Sequence, residues 1–217
     1  MKTAVLGTGM VGQTIATKLI QLGHEVKMGS RSGHNEKATE WISKNGPSAS
    51  QGTFAEASAA GEIIFNCTKG EVALEVLEQA GNENLKGKIL IDISNPLDFS
   101  KGMPPTLLIV NDNSLGEEIQ KLVPDTYVVK TLNTLTANLM VNPQLVNNGD
   151  HDIFLSGNSK EAKEKVSALL QTFGWGVNHL IDLGDITTAR GTEQILPVWV
   201  RLYAAMGTPM FQFKIVK

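Results

Sequence analysis

Three glycines near the start of the chain have the spacing of a turn that binds phosphate. They follow the apolar run Ala4-Val5-Leu6, and a helical pattern begins near Gln13. In such a turn the first glycine allows a tight bend, the second lets the backbone approach a pyrophosphate, and the third lets helix and strand pack closely. Backbone N–H groups at the start of the helix then face the phosphate charge. We therefore predict a dinucleotide site at Gly7-Thr8-Gly9-Met10-Val11-Gly12. The alternative is a glycine turn without a ligand.

The residues after the second predicted strand favour a dinucleotide with an additional phosphate. Folds that prefer NAD carry an acidic residue about 20 positions after the first glycine, where its carboxylate accepts the ribose 2′-hydroxyl. This chain has Gly29-Ser30-Arg31 there and no carboxylate. The Ser30 hydroxyl and the Arg31 guanidinium suit a dianionic 2′-phosphate, and Lys37 offers a further positive charge. We therefore predict NADP as the cofactor; the alternatives are a solvated loop charge for Arg31 and a helix-surface role for Lys37.

Three later loops also carry groups that could bind a cofactor, because each follows a predicted strand. Ligands of doubly wound sheets bind at the carboxyl ends of the strands, so we expect these loops to rim one cleft with the glycine turn. For each residue a role in a cap or turn is the alternative. Cys67 in particular is expected to pack rather than to act as a nucleophile, and Asp92, inside an apolar strand, is expected to have a hydrogen-bond partner. The candidate cofactor-binding residues are Cys67, Thr68, Lys69, Ser94, Asn95, Pro96, Asn133 and Thr134.

The order of the elements that must position these residues indicates the fold class. Apolar strands that alternate with helices predict an α/β fold, a doubly wound, mostly parallel Rossmann sheet with a small C-terminal helical extension. After the first strand, the predicted strands are 25–28, 50–53, 62–67, 88–93, 127–132, 152–156 and 177–183. The predicted helices are 12–22, 36–45, 54–60, 71–80, 115–123, 160–173 and 185–206.

The last third of the chain differs from the rest. We expect residues 1–150 to form an NADP-binding Rossmann domain and residues 151–217 to complete the sheet and the acceptor site. Segment 195–206 is nearly apolar all round, which predicts burial in the domain or against a second copy of the chain, hence a homodimer. Pro197 should kink this helix or mark its first turn. The apolar tail 207–213 is a candidate lining for a flat-ring pocket, while core packing is the expected role of each of its residues taken singly.

Composition narrows the function further. The chain has 217 residues, 41% hydrophobic and 19% charged, with a net charge of −3 and no basic cluster, which argues against a nucleic-acid partner. No signal peptide or membrane-length apolar run is found, so we expect a cytoplasmic protein without a membrane partner. The single Cys67 excludes an internal disulfide. The four histidines are scattered, so no metal site and no catalytic side chain is predicted.

Several segments together resemble one family. The whole chain is similar to the coenzyme F420-dependent NADP oxidoreductases, whose fold also occurs in the cytosolic domain of membrane ferric reductases. Besides the glycine turn, the segments that carry this resemblance are Gly23-His24-Glu25-Val26 leading to Gly29-Ser30-Arg31, Ile91-Asp92-Ile93-Ser94-Asn95-Pro96, Lys130-Thr131-Leu132-Asn133-Thr134-Leu135, Ala189-Arg190 with Glu193, and residues 206–214.

The resemblance implies a specific reaction. NADPH would bind the Rossmann part, and a deazaflavin (coenzyme F420) or flavin ring would lie against the nicotinamide, held by the C-terminal part. Direct hydride transfer between two rings needs no protein acid or base, which agrees with the scattered histidines. We therefore predict an NADPH-dependent oxidoreductase with a small-molecule hydride acceptor. A quinone as acceptor, an NADP-dependent reductase of a small carbonyl or imine compound, and an NADPH-binding sensor without turnover remain alternatives.

Overall fold

The computed structural model describes residues 1–217, in which strands and helices alternate through most of the chain. The strands are β1 Lys2–Leu6, β2 Glu25–Ser30, β3 Ala49–Thr53, β4 Ile63–Asn66, β5 Ile89–Asp92, β6 Leu97–Asp98, β7 Thr106–Leu107, β8 Tyr127–Lys130, β9 Ile153–Ser156 and β10 Leu180–Gly184. The helices are α1 Met10–Gln21, α2 Glu36–Asn45, α3 Phe54–Ala60, α4 Ala73–Ala80, α5 Asn82–Leu85, α6 Leu115–Leu122, α7 Ala137–Val141, α8 Lys160–Thr172, α9 Ala189–Gln194 and α10 Leu196–Met206.

Eight of the strands form one sheet in the order β10-β9-β8-β5-β4-β1-β2-β3. Neighbouring strands run parallel except β8 and β9, which are antiparallel. The chain winds outward from β1 in both directions, so the strand order reverses at β1, where ligands bind in such sheets. The predicted α/β fold with a doubly wound, mostly parallel sheet is confirmed.

Helices cover both faces of the sheet. Alternate residues of a strand point to opposite faces, so Val5 and Phe65 belong to one apolar cluster, with α1, α2, α7 and α8, while Leu6 and Ile64 belong to the other, with α3, α4, α6 and α9. Burial on both faces explains why the central strands read as continuous apolar runs. The carboxyl edge of the sheet is left for the loops that rim the site.

The structure corrects three of the predicted elements. The helix expected at 185–206 is a short 3₁₀ turn followed by α9 and α10, and Pro197 lies in the first turn of α10, where its missing N–H costs little. The strand expected at 177–183 begins with the 3₁₀ turn Val177–His179. Residues 97–107, in which neither a strand nor a helix was predicted, form the antiparallel β6–β7 hairpin. All three differences involve short segments whose residues have no clear hydrophobic period, so the sequence does not indicate their secondary structure.

Helix α10 is less covered than its composition predicts. Only Leu196 and Val200 are buried, whereas Val198, Tyr203 and Met206 are 51%, 42% and 53% exposed. Of the two predicted alternatives, burial within the domain is therefore not found, and burial of the exposed face against a second copy stays a prediction. None of the helices, α10 included, has the length and apolarity required to cross a membrane.

Candidate functional site

The glycine turn between β1 and α1 has the geometry of a phosphate cradle. Gly7 has a φ of +112°, and a Cβ there would lie 2.9 Å from the carbonyl oxygen of Cys67. A Cβ on Gly12 would lie 2.1 Å from the carbonyl oxygen of Gly7, whereas Gly9 has open space around it. No side chain caps α1, so the N–H groups of its first turn are available to an anion. These residues fit a bound pyrophosphate.

Two alanine substitutions should separate binding from folding at this turn. Gly12→Ala should lower both the melting temperature and the NADPH affinity, because its methyl group overlaps a backbone oxygen and overpacking costs about 1–3 kcal/mol. Gly9→Ala, whose methyl group projects into open space, should weaken NADPH binding at an unchanged melting temperature. Thermal unfolding and calorimetric titration measure both effects. An unchanged melting temperature for Gly12→Ala would contradict the close packing.

Two free cations follow β2, Arg31 in the loop and Lys37 in the first turn of α2. Arg31 and Lys37 are exposed, and the ion pairs within the chain involve neither. The Ser30 side chain is buried, and its hydroxyl donates to the carbonyl of Ser32 at 2.7 Å. Its proton therefore supports the loop, and the positive charge for a 2′-phosphate lies on Arg31 and Lys37.

The loops after β1, β4, β5 and β8 surround one cleft of ≈ 520 Å³. Among the residues predicted from the sequence, the lining contains Met10, Val11, Cys67, Thr68, Lys69, Ser94, Asn95 and Asn133. Pro96 and Thr134 are buried outside this lining. Gly70 and Leu135 also line the cleft and belong to the loops that were predicted to rim it. The lining residues that the sequence did not indicate are Glu71, Ile93, Leu97, Phe99 and Met140.

A buried ionic network lies beneath the cleft. The ammonium of Lys130 contacts Asp92 Oδ2 at 2.7 Å, the Ser94 carbonyl at 2.5 Å and Glu193 Oε1 at 2.9 Å, and all three charged side chains are buried. Burial disfavours the charged amine, yet the carboxylates of Asp92 and Glu193 hold the pKa of Lys130 above its ordinary value. The hydrogen-bond partner expected for Asp92 is confirmed.

Glu193 extends this network to the start of α6. Its Oε2 accepts the N–H of Leu115 at 2.7 Å and its Oε1 accepts the N–H of Gly116 at 2.9 Å. The positive end of the α6 dipole thereby helps to compensate the second carboxylate. Sequence reasoning gave Lys130 and Glu193 no such role, although both belong to segments that carry the family resemblance and Lys130 lies inside a predicted apolar strand.

Hydrogen bonds within the protein orient the polar floor of the cleft. Asn95 Nδ2 donates to the Asn133 carbonyl at 2.8 Å, while Asn133 Nδ2 donates to Asn95 Oδ1 at 2.9 Å and to the Thr192 carbonyl at 3.0 Å. The hydroxyls of Thr68 and Ser94 donate inward, to Asn66 Oδ1 and Asp92 Oδ1. The hydroxyl oxygens of Thr68 and Ser94 are therefore left to accept hydrogen bonds from a ligand.

The cleft contains few ionisable groups. Lys69 and Glu71 form an exposed ion pair at 3.4 Å. Burial, and secondarily the charge of Asp92, raise the pKa of the Cys67 thiol far above its ordinary value, so this side chain stays neutral. No group of three His, Cys, Asp or Glu side chains is arranged to hold a metal ion. The cleft floor is therefore uncharged.

The C-terminal tail does not line the cleft, and Phe211 is buried, in the packing role expected for the tail residues taken singly. The Phe213 carbonyl accepts the N–H of Asp152 at 2.9 Å, and the Phe211 ring lies 5.3 Å from that of Trp199. The tail is thus bound to the C-terminal part, where its ring completes an aromatic pair. Leu97 and Phe99 of the β6–β7 hairpin stand at the cleft instead.

The fold and this site define a dinucleotide-binding protein of the Rossmann class. Residues 2–96 match the family model described as NADP oxidoreductase, coenzyme F420-dependent. Over 220 residues the chain is 31% identical to the F420-dependent NADP reductase of Methanocaldococcus jannaschii, with 96% of each protein covered. The chain therefore belongs to the coenzyme F420-dependent NADP oxidoreductase family. The resemblance found in the sequence and the enzyme class, an NADP-dependent oxidoreductase, are confirmed.

Two further relatives extend the comparison. A crystal structure from Arthrobacter sp. FB24, of a protein given as a candidate F420-dependent NADP reductase, is 50% identical with a TM-score of 0.94, and both chains are covered completely. Metalloreductase STEAP3 of Rattus norvegicus is 31% identical over 204 residues, which cover 91% of this chain. This chain spans 38% of the length of STEAP3, so the similarity is to one part of that protein.

Proposed function

We propose that the protein transfers hydride between NADP(H) and a deazaflavin or flavin ring bound in the cleft. The observation that carries this proposal is a largely apolar cleft beside the glycine turn, in which the charged lining residues Lys69 and Glu71 pair with each other. A flat redox ring needs such a surface, whereas a reaction that moves protons on a small substrate needs an acid or base within reach. The names of the M. jannaschii and Arthrobacter relatives support the same acceptor class.

The predicted residues would divide the binding of NADPH among them. The glycine turn, Gly7 to Gly12, would hold the pyrophosphate, and Arg31 with Lys37 would bind the 2′-phosphate while Ser30 supports their loop. The inward-donating hydroxyls would accept hydrogen bonds from the ribose or the carboxamide. The residues of the cleft that we propose contact the ribose or the nicotinamide of NADPH are Cys67, Thr68, Lys69, Ser94, Asn95 and Asn133. Pro96 and Thr134 would fix the loops behind them.

The chemistry of the bound cofactor needs little from the side chains. NADPH supplies a hydride, whose C–H bond breaks as a new bond forms on the acceptor ring, so that the acceptor gains two electrons and NADP⁺ is left. The protein orients the site and keeps water out, since proximity and dryness favour this step. Val11, Ile93 and Leu135 supply apolar lining, and no side chain is assigned a catalytic proton transfer.

Parallel turnover assays test this function. Anaerobic oxidation of NADPH is followed with coenzyme F420, FMN, FAD, a ferric chelate, a quinone and a cyclic imine. We expect the wild type to reduce the deazaflavin or a flavin, and the Gly9→Ala variant to need a higher NADPH concentration for the same rate. Turnover with the imine or a small carbonyl compound alone would contradict the proposal. Binding of NADPH without any turnover would instead indicate a sensor.

We also propose roles for the two parts of the chain and for its assembly. Residues 1–150 would bind NADP, and residues 151–217 would complete the sheet and support the acceptor side through Thr192 and Glu193. The exposed face of α10 would pair with a second copy to form a homodimer. We further propose that the enzyme works in the cytoplasm on a small-molecule acceptor.

A further inference from the structure

A short hairpin holds an aromatic side chain at the rim of the cleft. We call residues 97–107 the cleft hairpin. Its strands pair Leu97 with Leu107 and Asp98 with Thr106, and the N–H of Leu108 donates to the Pro96 carbonyl at 2.7 Å. These bonds fix the base of the cleft hairpin directly after the Ser94-Asn95-Pro96 loop.

The neighbouring loop fixes the hairpin base from the other side. A Cβ on Gly70 would lie 2.0 Å from the Asn95 carbonyl oxygen, so the backbone after β4 packs tightly against the backbone after β5. Within the hairpin, the N–H of Ser100 donates to Asp98 Oδ1 at 2.8 Å and the N–H of Gly102 donates to the Phe99 carbonyl at 2.9 Å. Phe99 therefore projects from an ordered turn.

Phe99 is unusually uncovered for an aromatic side chain at a cleft. It is 49% exposed although it belongs to the lining, and Met10, on the loop after β1, is 73% exposed. Large apolar side chains left open to a cleft indicate a surface that a ligand covers. The charged residues of this lining, Lys69 and Glu71, neutralise each other.

We propose that Phe99 stacks on the fused ring of the hydride acceptor and thereby selects a planar fused heterocycle over a small carbonyl compound or a metal chelate. This inference rests on the proposed function. Offset stacking of two rings gains free energy beyond the apolar area that it buries, and a small non-aromatic substrate gains none of it. Ile93, Leu97 and Met140 add apolar surface to the same cleft.

Fluorescence titration tests the stacking on Phe99 without requiring turnover. Riboflavin, which has the ring but no phosphate, and coenzyme F420 are titrated with protein saturated by NADP⁺, and quenching of their fluorescence gives the dissociation constants. Phe99→Ala should bind the probe that the wild type binds about tenfold more weakly. Phe99→Tyr, which keeps a ring, should restore most of the affinity.

A matched variant on the same segment serves as the control. Leu108 is 52% exposed, follows the cleft hairpin and lies outside the lining, so Leu108→Ala should leave both dissociation constants unchanged. NADPH affinity should be equal in all variants. Unaltered ring binding by Phe99→Ala would overturn the inference while the proposed function stands if the wild type still reduces the ring. Failure of the wild type to bind or reduce either ring would overturn both.

Discussion

Replacing Lys130 with alanine should lower the free energy of unfolding by about 3–5 kcal/mol, since removing one partner of a buried ion pair leaves an uncompensated charge. Here two carboxylates, those of Asp92 and Glu193, would lose the cation that they share. The Ser94 carbonyl would also lose a donor at 2.5 Å, so the cleft floor should loosen. Urea unfolding at neutral pH measures the loss.

Two comparisons make this result specific. Lys160 forms an exposed pair with Glu164 at 3.8 Å, and Lys160→Ala should have a stability indistinguishable from that of the wild type. Replacing Lys130 with Met together with Asp92→Asn and Glu193→Gln should recover part of the loss, because no buried charge then remains unpaired. A loss below about 1 kcal/mol for Lys130→Ala would show that the ionic network contributes less to the free energy of unfolding than expected.

The pH dependence of the Lys130 contribution has a definite sign. Its folded pKa is raised above the ordinary value of 10.5 by the two carboxylates. A group with a raised folded pKa stabilises fully below its unfolded pKa and loses that contribution as the pH rises through the folded pKa. The stability that Lys130 adds by being charged is therefore constant through neutral pH and declines only in alkaline solution.

Replacing Arg31 with alanine should weaken NADPH binding on the order of 100-fold while NADH binding changes little. The guanidinium can make paired, charge-assisted hydrogen bonds to a 2′-phosphate, and no carboxylate after β2 is placed to accept a 2′-hydroxyl instead. Lys37→Ala should have a smaller effect, because an ammonium acts as a single point charge. Calorimetric titration of both nucleotides gives the ratio of affinities.

A distant arginine provides the control for this selectivity. Arg201 is also exposed but belongs to α10, so Arg201→Ala should leave the preference for NADPH unchanged. Equal losses of NADPH and NADH affinity in Arg31→Ala would show that the side chain does not recognise the 2′-phosphate. In that case the cofactor preference would have to come from another part of the loop after β2.

Much of the fold could be predicted because its signals are local. Helix α3 occupies the predicted residues 54–60 because Thr53 and Glu56 form a capping box at its start. Helix α2 likewise occupies 36–45, with Asn35 capping its start. The glycine turn was equally readable, because a tight bend and a close approach between helix and strand each require glycine at a defined spacing.

The parts that could not be predicted depend on contacts between distant segments. Lys130 and Asp92 are 38 positions apart, and Glu193 reaches the start of α6 across 78 positions. The choice between the two alternatives for α10, burial in the domain or against a second copy, was undecided for the same reason, since the neighbouring layers of an apolar helix are not known from its own residues. The cleft hairpin was missed because each of its strands has two residues, too few for a periodic pattern.

The amino-acid sequence by itself determined the parallel sheet, the glycine turn and the cations after β2, because strand and helix periods and the conformational freedom of glycine are properties of a few adjacent residues. Only the tertiary structure decided that Lys130 holds two carboxylates beneath the cleft and that Phe99, rather than the C-terminal tail, stands at its rim. Burial and charge pairing depend on which distant segments the fold brings together, and no local pattern encodes that choice.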